Sequence, residues 1–141
     1  MSQAKRFAFT TIDPSLGDTS FRPMLSVRLA RRDQSVVADG LLDSGSMVNV
    51  MPYRLGLALG ASWEQQQVVV HLAGNLANLE ARALLVSATV EPFAPVLQAF
   101  AWTKSTDVPL ILGQVNFFQA FDVCFFRSEL AFEIRSKQVA Q

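Results

Sequence analysis

The segment Leu41-Leu42-Asp43-Ser44-Gly45-Ser46 gives the clearest indication of how this chain of 141 residues folds. Its two leucines end a strand-like stretch and deliver Asp43 into a short polar turn. We expect Gly45 to permit backbone angles and a close approach that a side chain would block. Taken alone, Asp-Ser-Gly after a strand more often forms an ordinary turn. Asp43 is therefore a candidate for chemistry that needs support from the rest of the chain.

A second apolar segment, Leu110-Ile111-Leu112-Gly113, follows about 70 residues later. By itself it predicts a buried core strand that ends at a glycine. Residues 114–121 then predict a short helix, and residues 121–126 and 130–134 predict two closing strands.

Most of the remaining chain has the pattern of β-strands. Residues 24–30 alternate strictly between apolar and polar side chains, which is typical of a half-buried strand. Asp39-Gly40 is interpreted as a bulge in the returning strand, and Asp107 as a loop residue. Further strands are predicted at 35–42, 68–72, 79–90 and 96–102, with a short helical turn at 52–59 that ends at Gly60. The predicted fold class is all-β with one or two short helices.

The two segments together resemble the signatures of the retropepsin-like (retroviral-type) aspartic peptidases, and the chain looks like a bacterial-type single-domain member. The first signature consists of two apolar residues, Asp, Thr or Ser, Gly and a small residue. Residues 41–46 match it, with Ser46 in place of the commoner Ala or Thr, and Val48-Asn49-Val50-Met51-Pro52 continue it. Residues 110–114, followed by Phe117-Phe118, match the second signature. The resemblance covers roughly residues 22–135.

This resemblance implies a single-lobe, closed β-barrel protomer that functions as a homodimer. It implies that Asp43 is catalytic and that the Ser44 hydroxyl forms a hydrogen bond across the two-fold axis. It also implies that Gly45 leaves room for substrate. The active-site loop is expected to be supported by Ser44, Gly45 and Ser46, and from the second segment by Leu110, Ile111, Leu112 and Gly113. The candidates for a flap that closes over substrate are His71, Leu72, Ala73, Gly74, Asn75 and Leu76. Gly74 is expected at or near the tip of this flap, and an ordinary solvent-facing hairpin is the alternative.

The chemistry of carboxylates agrees with the implied dimer. One carboxylate cannot both activate a water molecule and protonate a leaving amine, whereas two carboxylates about 3 Å apart share one proton and divide these roles. The chain has one such loop, so the resemblance implies a symmetric homodimer with Asp43 from each subunit. The implied function is an aspartic endopeptidase, a hydrolase that acts on extended peptide or protein substrates without a metal or cofactor. The alternatives are a catalytically inactive dimeric peptide-binding module of the same fold, or a fragment of a larger precursor.

Composition argues against several other classes of function. The formal net charge is zero, and nothing favours a nucleic acid as partner. One histidine, His71, and one cysteine, Cys124, are too few to bind zinc, and Ser44 lacks the context of a serine-hydrolase nucleophile. We expect His71 to be a half-exposed strand residue and Cys124 to be a small buried one.

Location and domain limits follow from the same features. The sequence has no apolar run of about 18 residues and no evident signal segment, which together with the single cysteine favours the cytoplasm. A chain that lacks its leader would look the same. We expect an N-terminal arm outside the core at 1–21, a retropepsin-like domain at 22–135 and a loose tail at 136–141.

Overall fold

The computed structural model describes residues 3–137, and these residues form mostly β-strands. The two α-helices are α1 (Tyr53–Ala58) and α2 (Phe117–Ala120). The strands are β1 (Lys5–Ala8), β2 (Thr10–Thr11), β3 (Phe21–Arg22), β4 (Met24–Arg31), β5 (Gln34–Leu42), β6 (Asn49–Met51), β7 (Val69–Val70), β8 (Ala81–Thr89), β9 (Val96–Thr103), β10 (Leu110–Leu112), β11 (Phe121–Phe126) and β12 (Ala131–Ser136). Single turns of 3-10 helix lie at Trp63–Gln65, Gly74–Leu76 and Arg127–Glu129, and a longer 3-10 segment spans Pro14–Ser20.

Six strands close into a barrel in the order β4-β5-β10-β6-β9-β8, because β8 also pairs with β4. The short strand β7 adds to the outer side of β8. The alternation in β4 explains its place in this barrel, since Leu25, Val27 and Leu29 all point into the core and are fully buried. The predicted all-β, closed-barrel fold is confirmed.

Strand β10 lies between β5 and β6, and this arrangement positions the candidate site. It runs parallel to β5, with Leu112 opposite Leu42, and antiparallel to β6, with Ile111 opposite Val50. Parallel strands end at the same edge of a sheet. Asp43, which follows β5, and Gly113, which follows β10, therefore emerge side by side.

An aromatic cluster packs around Trp102, on strand β9 of the barrel. Its ring stacks on Tyr53 with the centroids 5.5 Å apart, and it meets the edge of Trp63 at 5.4 Å. The indole Nε1 donates a hydrogen bond to the Tyr53 carbonyl at 3.1 Å. Gly56 in α1 lies directly against this indole, where a Cβ atom would overlap with the ring. The helix therefore requires glycine at this position.

The N-terminal segment contributes to the core, so the expectation that all of it lies outside is wrong. Strand β1 pairs with β12, where Phe7 stacks on Phe132 with ring centroids 5.3 Å apart. Phe9 is buried, and its N–H donates to the Leu130 carbonyl at 2.8 Å. Strand β12 also includes Ser136, which the predicted tail contained. Residues 1–2 and 138–141 lie outside the described residues, and the division at 21 and 135 stays a prediction.

Two local predictions are also wrong. Strand β5 pairs with β4 without interruption through Asp39 and Gly40, so no bulge forms there. Gly40 is instead a point of close packing, since a Cβ atom would lie 2.9 Å from Leu112 Cδ1. Cys124 is exposed, because the alternation along β11 buries Phe121 and turns Cys124 to the other side.

No helix within residues 3–137 is long and apolar enough to cross a membrane.

Candidate active site

The turn that carries Asp43 is closed by two hydrogen bonds from its own residues. The Ser46 N–H donates to the Asp43 carbonyl at 3.1 Å, which makes a four-residue turn. The Gly45 N–H donates to Asp43 Oδ1 at 2.9 Å. An aspartate whose side chain accepts a hydrogen bond from a backbone two residues later is typical of an Asx turn. The carboxylate, which is half-buried, is therefore held in one orientation.

Glycine at position 45 is explained by close approach and not by its backbone angles. Gly45 is not among the glycines with a positive φ, which within the described chain are Gly17, Gly60 and Gly74. A Cβ atom at 45 would lie 3.2 Å from Asp43 Oδ1. A side chain here would therefore press on the carboxylate, as predicted, while the expected need for special angles is wrong.

The second segment lies beside the turn and supports it. The Asp43 N–H donates to the Leu112 carbonyl at 3.0 Å. At Gly113, a Cβ atom would lie 2.5 Å from the Val48 carbonyl oxygen and 2.8 Å from that of Ser46. The chain after Gly113 then pairs with the chain after the turn, because the Gln114 N–H donates to the Ser46 carbonyl at 2.9 Å. Residues 46–48 and 113–115 are thus clamped together.

The two serines of the turn have different surroundings. The Ser46 hydroxyl donates to the Val48 carbonyl at 2.8 Å, within the protomer. Ser44 is exposed, and its carbonyl accepts a hydrogen bond from Gln114 Nε2 at 2.6 Å. Its hydroxyl has no hydrogen-bond partner among residues 3–137. Ser46 therefore stabilises its own loop, whereas the Ser44 hydroxyl is available to another molecule.

The candidate flap lies across a cavity from the Asp43 turn, in the loop that joins β7 to β8. Strand β7 is shorter than the predicted strand at 68–72, so His71 lies outside any strand and is exposed, contrary to our expectation. Gly74 begins a single 3-10 turn with φ of +63°, a conformation that favours glycine. Apolar side chains of this segment pack on a small cluster beside the turn: Leu72, Leu76 and Leu79 on Val50, Val108 and Ile111.

Two adjoining cavities are lined by this segment on one side and by the turn and barrel on the other. One has a volume of about 380 Å³ and lies between the turn, at Asp43, Gly45 and Ser46, and residues 73–76, with Ile111 in its wall. The other has a volume of about 300 Å³, and His71 and Leu72 face Val48 and Val50 across it. Of the described residues that line the first cavity, Asp43 alone carries a carboxylate.

A buried set of amide side chains below the turn was not assigned a role from the sequence. Asn49 is fully buried, and its Oδ1 accepts a hydrogen bond from the Gly113 N–H at 2.8 Å. Its Nδ2 donates to Oε1 of the buried Gln98 at 2.9 Å. The available signal was a polar residue inside each of two apolar runs, at 47–51 and 96–102. Within residues 3–137, no group of three or more His, Cys, Asp or Glu side chains could hold a metal ion.

Comparison with solved structures identifies the fold. A retropepsin-like aspartic protease from Rickettsia conorii superimposes with a TM-score of 0.61 at 8% sequence identity, over 97% of this chain and 97% of that chain. The chain has a retropepsin-like fold. The EIAV protease complexed with the inhibitor HBY-793 matches with a TM-score of 0.49 and 18% identity, over 65% of this chain and 81% of that chain. No protein-family model and no curated protein matches the sequence.

Proposed function

We propose that this chain is an aspartic endopeptidase whose active centre forms when two copies bring their Asp43 carboxylates into hydrogen-bond contact. The observation that carries the proposal is the position of Asp43. It is a half-buried carboxylate on a clamped turn, and it faces a cleft that holds no other described acidic group. A retropepsin-like fold around this turn supports the same activity.

A second copy is needed because the reaction requires an acid and a base. The charged carboxylate of the pair accepts a proton from a water molecule, whose oxygen bonds to the carbonyl carbon of the scissile peptide. The neutral carboxyl first polarises the carbonyl oxygen by a hydrogen bond. A proton then passes to the amide nitrogen, the C–N bond breaks, and the products are a carboxylic acid and an amine. The pair ends with one shared proton, as it began, and consumes no metal ion or cofactor.

The surroundings of the turn suit a two-fold assembly. Ser44 is exposed beside Asp43, and we assign its hydroxyl a hydrogen bond to the opposite subunit. Gly45 leaves the floor of the cleft open, and Ser46 together with residues 110–113 keeps the turn rigid. We assign residues 71–76 the role of a flap over an extended peptide, whose backbone pairs with strand edges. The apolar wall at Val50 and Ile111 favours hydrophobic side chains beside the cut.

The test compares wild type with Asp43→Asn on a peptide library at several pH values between about 4 and 7, because the carboxylate pair must hold one shared proton to act. The mass of each protein in solution is measured by sedimentation. We expect wild type to form dimers that cleave peptides, and Asp43→Asn to form dimers that do not. Asp39→Asn is the matched control, since Asp39 is exposed on β5, the strand that precedes Asp43, and the substitution removes the same charge outside the cleft.

Each other outcome contradicts part of the proposal. Cleavage by Asp43→Asn at the wild-type rate would show that Asp43 is not the catalytic group. Cleavage by a wild-type protein that remains monomeric at high concentration would remove the two-copy mechanism. A wild-type dimer that binds peptides without cutting them would identify a binding module of the same fold.

A further inference from the structure

A single peptide unit beneath Asp43 is hydrogen-bonded at both ends. The carbonyl of Leu112 accepts from the Asp43 N–H at 3.0 Å. The N–H of the same unit, which belongs to Gly113, donates to Asn49 Oδ1 at 2.8 Å. Because a peptide unit is planar and rigid, a shift of the Asn49 side chain moves the group that holds the Asp43 backbone.

The chain of hydrogen bonds continues deeper into the protein. Asn49 Nδ2 donates to Gln98 Oε1 at 2.9 Å and to the Ala99 carbonyl at 3.2 Å. Gln98 Nε2 in turn donates to the Asn116 carbonyl at 3.2 Å. Asn116 is also fixed, because its Oδ1 accepts from the Ala99 N–H at 3.0 Å. The donors from Asp43 to Gln98 all point in one direction, so each amide polarises the next and strengthens it.

The amide side chains of Asn49 and Gln98 are buried at positions where an apolar side chain would need no hydrogen-bond partner. Asn49 is 0% and Gln98 is 2% exposed, and Asn49 is followed in β6 by the buried Val50 and Met51. Burying amides gains little unless every polar atom finds a partner. What the network supplies is an acceptor for the Gly113 N–H. Gly113 itself lies against the carbonyls of Ser46 and Val48, so no side chain of its own can stabilise this crossing.

We propose that Asn49 is a positioning residue for Asp43, acting through the peptide unit between Leu112 and Gly113 and braced by Gln98. This inference rests on the proposed function, in which two Asp43 carboxylates must meet within hydrogen-bond distance. Displacements of about 1 Å caused by distant substitutions can reduce a rate about 100-fold. Asn49 therefore fixes the position of each Asp43 turn, and with it the distance between the two carboxylates across the two-fold axis.

The first test measures amide hydrogen exchange residue by residue and needs no catalysis. In Asn49→Ala the Gly113 N–H loses its acceptor, and we expect its exchange to rise about tenfold more than at the median barrel amide. Exchange at the Asp43 N–H should also rise selectively, because the rigid peptide unit that carries its acceptor is no longer held in place. Leu29→Ala is the matched control, since Leu29 is fully buried at the far end of β4. It should raise exchange uniformly through loss of global stability. Equal rises at Asp43, Gly113 and the barrel amides of Asn49→Ala would overturn the proposal.

A second variant keeps the test decisive if Asn49→Ala does not fold. Gln98→Met preserves the side-chain volume and contacts neither Asp43 nor Gly113 by a hydrogen bond. We expect exchange at those two amides to rise about threefold more than at the median amide, as for loss of one neutral hydrogen bond. No selective rise would refute the role of the network.

Peptide cleavage provides the second readout. Asn49→Ala should lower kcat about 100-fold while KM changes less than about threefold, because the turn moves but the apolar cleft does not. Leu29→Ala, assayed well below its melting temperature, should change neither. A change in KM with kcat unaffected would contradict a positioning role for Asn49. If wild type cleaves no peptide, the proposed function fails, whereas the exchange comparison still decides whether Asn49 holds Asp43.

Discussion

The substitution Gly113→Ala tests how tightly the turn is clamped. The added methyl group would lie 2.5 Å from the Val48 carbonyl oxygen, 2.7 Å from the Val48 carbonyl carbon and 2.8 Å from the Ser46 carbonyl oxygen. All three are backbone atoms, so no side chain can rotate away. Overpacking of this kind costs about 3 kcal/mol. Separating the two segments also weakens at least one of their hydrogen bonds, at about 1 kcal/mol.

We therefore expect Gly113→Ala to lower the free energy of unfolding by about 4 kcal/mol and Tm by about 13 °C. The assay is urea unfolding monitored by tryptophan fluorescence. Trp63 and Trp102 are both buried, so their fluorescence reports their exposure to water on unfolding. Gly45→Ala is the matched control: its methyl group would meet a single atom, Asp43 Oδ1, at 3.2 Å. It should cost less than about 1 kcal/mol. A Gly113→Ala protein within about 1 kcal/mol of wild type, or equal losses for the two variants, would refute this reasoning.

Three further predictions concern parts of the fold away from the turn. Gly56→Ala should lower the free energy of unfolding by about 3 kcal/mol in the wild-type protein. In a Trp102→Leu background the loss should be at least about 1 kcal/mol smaller, because the overlapping indole is absent. Additive losses for the two substitutions would contradict this. Phe9→Ala should cost about 3 kcal/mol by urea unfolding, since Phe9 belongs to the core; a loss below about 0.5 kcal/mol would restore the view of a free arm. Cys124 should react with a thiol reagent in the native protein, and Cys124→Ser should change stability by less than about 0.5 kcal/mol; a protected thiol would contradict its exposure.

The sequence was most informative where the pattern is local. The turn at Asp43 and Gly45 could be located because an apolar strand that runs into a glycine turn is a short, contiguous signal. Residues 110–113 were recognisable for the same reason, and their place beside the turn followed from the resemblance. Alternation also predicted β4, since each second side chain faces the barrel interior.

Features that depend on distant partners were not predictable in this way. Strand β1 is polar and short, and its partner Phe132 comes 125 residues after Phe7, so nothing nearby marks Phe7 as paired. Asn49 stood out as polar, but the hydrogen-bond partners of its side chain lie 49, 50 and 64 residues away. Cys124 has apolar neighbours on both sides, so its run had no alternation from which to infer the exposed face.

The placement of β10 between β5 and β6 has a consequence for how the molecule acquires its structure. Until residue 112 is synthesised, the backbone N–H of residue 43 lacks the carbonyl that accepts its hydrogen bond. The barrel then also lacks the strand that joins β5 to β6. Pairings between segments so far apart form slowly, because a long loop must close before any contact compensates for the lost entropy. The turn at Asp43 is therefore among the last parts to be fixed to the barrel, and a polypeptide that ends before residue 112 lacks the hydrogen bond that fixes it.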